Sequence, residues 1–156
     1  MVKECQADLN IRNDEGDTPL LLATGWCFSA VVECFVEEGQ ADVNIPSKDG
    51  DTPLLVANEA GGVDEGYSEC AKFLEVAKLL VEKGHVEVNF PGKNGYTPLL
   101  VACNNFQLEI VQYLVVQRGA DLNAANKMEQ PLFVWLMSMK KRTLLDSLSF
   151  KTLHFR

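Results

Sequence analysis

One ten-residue phrase occurs three times in this chain: DEGDTPLLLA at 14–23, KDGDTPLLVA at 48–57 and KNGYTPLLVA at 93–102. A phrase that returns at intervals of a few tens of residues restricts a chain to architectures built by stacking one small unit on copies of itself. The Thr-Pro pairs Thr18-Pro19, Thr52-Pro53 and Thr97-Pro98 stand 34 and 45 residues apart, and a degenerate Gln130-Pro131 follows after another 33. A second phrase closes each unit, at 39–44, 84–89 and 119–123, and a copy of it stands near the start of the chain at 5–10.

The chemistry of one unit can be read from its residues. Glu15-Gly16, Asp49-Gly50 and Asn94-Gly95 supply tight turns in which a positive φ is tolerated, so each phrase opens with a hairpin-like finger. Thr is a good helix N-cap, and Pro is favoured at the first helical position because its missing N–H would have had no partner there. Each Thr-Pro therefore predicts a helix start. A second, amphipathic helix is expected at 30–38, 74–83 and 108–116, with Gly39, Gly84 and Gly119 as left-handed caps behind it.

Helices this short are marginal alone, so the pairs must stack to bury their apolar faces. Ala23, Ala57 and Ala102, five residues after each Thr, are small enough to let neighbouring helices approach closely. Trp135 holds that place in the fourth unit, where its ring would obstruct regular stacking, so 126–156 reads as a degenerate end cap.

These phrases resemble the ankyrin repeat, with its period of about 33 residues and its Thr-Pro-Leu-His-x-Ala motif. The resemblance covers roughly 6–138. It implies an all-α solenoid of stacked helix-turn-helix units with hairpin-like fingers, forming a single domain. That domain divides into a partial repeat at 1–12, repeats at about 13–46, 47–91 and 92–125, and the cap. The motif's histidine is replaced by Leu21, Leu55, Leu100 and Phe133. In the family that histidine helps to tie neighbouring loops by hydrogen bonds, so apolar packing is expected to take over here and the fingers to be looser. The 45-residue interval carries an insertion between the helices of the second unit. Its glycines and acids, at about 61–69, read as an exposed loop.

Charge and composition narrow the function. Residues 1–75 hold 16 acids and 4 bases, a net of −12, whereas 76–156 hold 6 acids and 10 bases, a net of +4. The acidic half argues against nucleic-acid binding, because phosphate would be repelled there. No run approaches the roughly 18 to 20 apolar residues of a membrane span, and the first residues lack a secretory pattern, so no membrane insertion is expected. Cysteines 5, 27, 34, 70 and 103 are odd in number and show no C-x-x-C, which favours reduced, buried thiols. The expected address is the cytoplasm, with the nucleus as the alternative.

No catalytic, cofactor or metal constellation emerges. His85 and His154 are paired by motif with no nucleophile, and Cys27 and Cys34 lie at no zinc-ligand spacing. The Gly61 to Gly66 spacing fails as a phosphate loop, because Tyr67-Ser68 stands where Lys-Ser/Thr is needed and Asp64 and Glu65 bring like charge. Lys140-Lys141-Arg142 is read as part of a solvated capping helix rather than an import signal.

What remains is a surface. The resemblance implies a concave face lined by finger tips and first helices. Carried onto this chain, the fingers supply Asp14, Glu15, Asp17, Lys48, Asp49, Asp51, Lys93, Asn94 and Tyr96. The first helices supply Gly25, Trp26, Glu59, Asn104 and Asn105. The reading is a non-catalytic module that binds a protein or peptide, with basic residues, on this acidic face. Two other readings stand beside it: a structural or targeting piece of a larger ankyrin-containing protein, and a regulatory segment of an enzyme that uses the 61–69 loop. The first phrase is a repeat ending without its helices, so if no unit precedes it the apolar side of the first helices is expected to be uncovered, and self-association or contact with a neighbour is expected to cover it.

Overall fold

The computed structural model describes residues 8–37, 41–60, 67–92, 95–105 and 107–124. Six helices follow one another: α1 (Pro19–Gly25), α2 (Ser29–Glu37), α3 (Pro53–Ala60), α4 (Tyr67–Glu82), α5 (Pro98–Asn104) and α6 (Leu108–Gln112), the last running on into a π-helical turn, Tyr113–Gln117. There is no strand among the described residues.

The Thr-Pro starts form as the chemistry demands. Each Thr hydroxyl accepts the backbone N–H three residues on, from Leu21 at 3.2 Å, Leu55 at 3.5 Å and Leu100 at 3.4 Å. Pro occupies the first helical position behind it. All three threonines are buried, so each hydroxyl satisfies an amide that water cannot reach.

The helices make two layers. In one, α3 packs between α1 and α5; in the other, α4 lies against α2 and α6. Leu20, Leu54 and Leu99, each immediately after its Pro, are all but fully buried, and Ala23, Ala57 and Ala102 are buried where close approach was expected. Val32, Val76, Ala77, Leu80, Val111 and Leu114 carry the same core through the second layer. Full burial of one such Leu or Val is worth roughly 1.5–3 kcal/mol, which short helices obtain only from neighbours.

Several expectations need correction. Helix α4 begins at Tyr67, seven residues before the predicted 74, so 67–69 belong to a helix rather than to an exposed loop. Residues 61–66 lie outside the described residues, as do Gly39 and the cap at 126–156. Gly84 is not the left-handed residue of its unit. His85 is, with φ 55°, and it occupies the register of Gly119, whose φ is 64°. Gly84 is needed for space instead: a Cβ there would stand 2.7 Å from the Leu80 carbonyl oxygen and 2.7 Å from a Val43 methyl. Of the thiols described, Cys103 is buried, Cys27 half-buried and Cys34 exposed, so burial holds for one of the three.

Candidate functional site

The fingers are reciprocal hairpins. In the first, Asn13 N–H donates to the Asp17 carbonyl at 3.0 Å while Gly16 N–H donates back to the Asn13 carbonyl at 2.9 Å. Ser47 with Asp51 and Gly50 repeats this pattern, as does Gly92 with Tyr96 and Gly95. Closing so tight a loop requires φ > 0 before its last residue, and Gly16, Gly50 and Gly95 have φ of 83°, 85° and 74°. Side chains reinforce two of the tips. Asn13 Oδ1 accepts from the Glu15 and Asp17 amides, and Ser47 Oγ from those of Asp49 and Asp51.

Successive fingers are joined. Lys48 N–H donates to the Glu15 carbonyl at 3.2 Å, its ammonium donates to the Asp14 carbonyl, and Arg12 Nε donates to the Gly16 carbonyl at 2.9 Å while its Nη2 reaches the Pro46 carbonyl. The leucines in the motif's histidine position are buried, and Leu55 lies directly behind Gly92, where an added Cβ would stand 3.0 Å from its Cδ1. Apolar packing does take over there, as expected, but the first two fingers are also hydrogen-bonded backbone to backbone, so they are not loose.

Between fingers and first helices the stack leaves two adjoining grooves. One, of about 570 Å³, is lined by Asp14, Glu15, Asp17, Ser47, Lys48, Asp49 and Asp51 over a floor of Leu21 and Val56. The other, of about 770 Å³, is lined by Asp49, Asp51, Glu59, Tyr96, Asn104 and Asn105, with Leu55, Gly92 and Val101 beneath. Asp49 and Asp51 belong to both, so the two form one acidic trough across three units.

Glu59 reports the field within it. Its carboxyl pKa is raised above its ordinary value, first because partial burial strips water from the charged form and second because the Asp51 carboxylate lies nearby. Asn105 has a structural duty at the same place. Its Nδ2 donates to the carbonyls of Asn58, at 2.9 Å, and Glu59, at 3.3 Å, and so ties the end of α3 to the turn after α5. Asn58 itself is fully buried and donates to the Pro98 carbonyl at 3.0 Å.

The structure brings together ten of the residues singled out in the sequence: Asp14, Glu15, Asp17, Lys48, Asp49, Asp51, Glu59, Tyr96, Asn104 and Asn105. Lys93 and Asn94 lie outside the described residues. Trp26 lines neither groove; it stands 73% exposed beyond the end of α1. Gly25 backs onto the stack, where an added Cβ would meet a Val56 methyl at 3.5 Å. Sequence reasoning missed the apolar floor of Leu21, Leu55, Val56 and Val101. The signal was present, since leucine replaces the motif's histidine in all three full units, but it reads as core until the fingers are placed above it.

Among the described residues no group of three or more His, Cys, Asp or Glu side chains is arranged to hold a metal ion, and no helix is long and apolar enough to cross a membrane. A search of curated proteins finds no match for this chain. A family model described as ankyrin repeats, in three copies, matches residues 1–75 and 70–126, and thus spans every helix described above. Ankyrin repeats are generally protein–protein interaction modules and typically non-catalytic, and a stack of capped helix pairs with projecting fingers, matched over most of its length, belongs to that family.

Proposed function

We propose that this chain binds a partner protein or peptide rich in Arg or Lys along the acidic trough, and that it acts without catalysis as an adaptor or scaffold inside the cell. The observation that carries the reading is the sharing of Asp49 and Asp51 between two adjoining grooves, whose other described charged residues are Asp14, Glu15, Asp17, Glu59 and Lys48. Lys48 is engaged with the neighbouring finger through its ammonium, so the net field of the trough is negative. A basic segment would be drawn in by that field, and its aliphatic stems would cover the Leu21, Val56, Leu55 and Val101 floor. Tyr96 offers an aromatic wall of the kind that commonly anchors such contacts.

An array of short peptides with graded Arg and Lys content, probed at about 50 and 500 mM salt, tests this. Binding that grows with basic content, weakens in high salt and disappears when Asp17, Asp51 and Glu59 are together replaced by Lys supports the reading. Binding indifferent to that triple replacement removes it.

A further inference from the structure

The end of the stack formed by α1 and α2 presents four large apolar side chains to solvent: Leu22 at 44% exposed, Trp26 at 73%, Phe28 at 56% and Val31 at 40%. Leu22 and Trp26 lie one turn apart along α1 and its C-cap, and Phe28 and Val31 one turn apart at the start of α2. When the units are set in register by their Thr-Pro pairs and closing phrases, the counterparts of Phe28 and Val31 are Phe73 and Val76 in the second unit, and Gln107 and Ile110 in the third. None of these four is more than 7% exposed. Leu22 corresponds to Val56, half-buried with a methyl toward Gly25 of the first unit, and to Val101, at 6%, and Trp26 corresponds to Asn105, which reaches back to the Asn58 and Glu59 carbonyls of the unit before it.

In the later units the cover is the preceding helix pair: α3 and α4 lie against α1 and α2, and α5 and α6 against α3 and α4. The four exposed side chains therefore form the repeat-to-repeat stacking surface itself, one step before the first described helix pair.

We propose that this face pairs with the same face of a second copy of the chain about a two-fold axis. Two considerations select that occupant. On ordinary side-chain areas the four residues expose on the order of 400 Å² of apolar surface, the size of the largest patch on a typical monomer, which is often a functional one. Interfaces are about 60% apolar, so such a core in each copy corresponds to roughly 1,300 Å² buried in total, within the range of specific but weak dimers. Face-to-face contact about a two-fold axis sets apolar against apolar and closes.

The surface lies in the half of the chain with a net charge of −12, so two copies repel one another at low salt and associate better when salt screens that repulsion. This is opposite in sign to capture of a basic partner by the trough, and it uses none of the trough's lining residues, so either inference can fail without the other.

Sedimentation equilibrium on the full chain, from about 5 µM to about 1 mM and at about 50 and 500 mM NaCl, reads the association directly. The expected result is a monomer–dimer equilibrium with a dissociation constant on the order of 10–100 µM, tighter in high salt and weakened at least ~tenfold by Trp26→Glu with Phe28→Glu. A second variant, Leu22→Gln with Val31→Gln, gives the same loss with a milder change, and circular dichroism melts verify that both remain folded. In a Trp135→Phe background, Trp26 emission moves to shorter wavelength as dimer forms. A monomer at every concentration and salt overturns the proposal. So does a dimer indifferent to both variants, which would mean another face pairs. Open-ended growth beyond the dimer also overturns it, and assigns the face to head-to-tail stacking.

Discussion

The side-chain oxygen of Asn44 accepts the backbone N–H of Glu87 at 3.1 Å, across 43 residues of chain. Asn10 does the same for Asp42 at 2.9 Å and Asn89 for Asp121 at 2.8 Å, each across 32 residues. The last asparagine of each closing phrase thus caps the closing phrase of the next unit. The longer span at Asn44 crosses the insertion in the second unit, and the ladder continues on its far side.

Each rung satisfies one amide, so replacing Asn44 by Ala is expected to cost about 1 kcal/mol. Asn44→Asp keeps an acceptor oxygen and should lose less. Urea melts of the two variants check this, and equal losses would show that the contact is not a hydrogen bond to Glu87.

Gly16 and Gly119 share a positive φ but not a neighbourhood. A Cβ on Gly16 would stand 2.8 Å from the Lys48 amide nitrogen, whereas at Gly119 nothing lies within 4 Å. Gly119→Ala should cost only the left-handed backbone penalty, about 1–2 kcal/mol. Gly16→Ala should cost more, because the second finger must also move. Thermal melts that rank the two the other way would remove the claim of close finger contact.

Thr18 is 1% exposed and its hydroxyl accepts the Leu21 amide. Thr18→Val retains shape and loses the acceptor, with an expected cost of about 1 kcal/mol and no more than about 2. Thr18→Ser should recover most of it. Hydrogen exchange at Leu21 should rise in the Val variant before exchange at Leu54 or Leu99 does, since fraying begins at the uncapped helix.

Glu59 gives the trough a pH signature. A carboxyl whose pKa is higher folded than unfolded binds its proton more tightly in the native state. Below the unfolded value both states are protonated and Glu59 costs nothing; above the raised folded value the full penalty is present. Glu59→Gln should therefore raise the melting temperature at pH 7 and leave it unchanged near pH 3, as paired melts would show. A bound basic peptide should favour the ionised form, so wild-type affinity should fall as pH drops through the raised value and the Gln variant should show less of that fall.

How much of this was legible beforehand depended on range. The Thr-Pro starts, the turn glycines and the small alanines act within one unit, through local backbone geometry that residue type largely dictates. These features, and with them the ankyrin fold, were readable from the repeated phrase. The acidic residues of the trough were readable as well, because the fingers that carry them recur in register. The length of α4 was not: its first seven residues, 67–73, show no strong local preference, and their backbone is helical in a helix that packs on α2 and α3. Nor was the left-handed residue at His85, because choosing between it and Gly84 depended on the Val43 side chain of the previous unit.

The sequence by itself determined what each unit is, since capping, turn chemistry and hydrophobic spacing are short-range. Only the tertiary structure decided what the units do to one another. It set Leu55 behind Gly92, joined Asp49 and Asp51 into both grooves, made the asparagine ladder, and left Trp26 exposed beyond the end of α1 rather than in the trough. Those relations connect residues tens of positions apart, and the free energy that fixes them comes from burying one unit against the next.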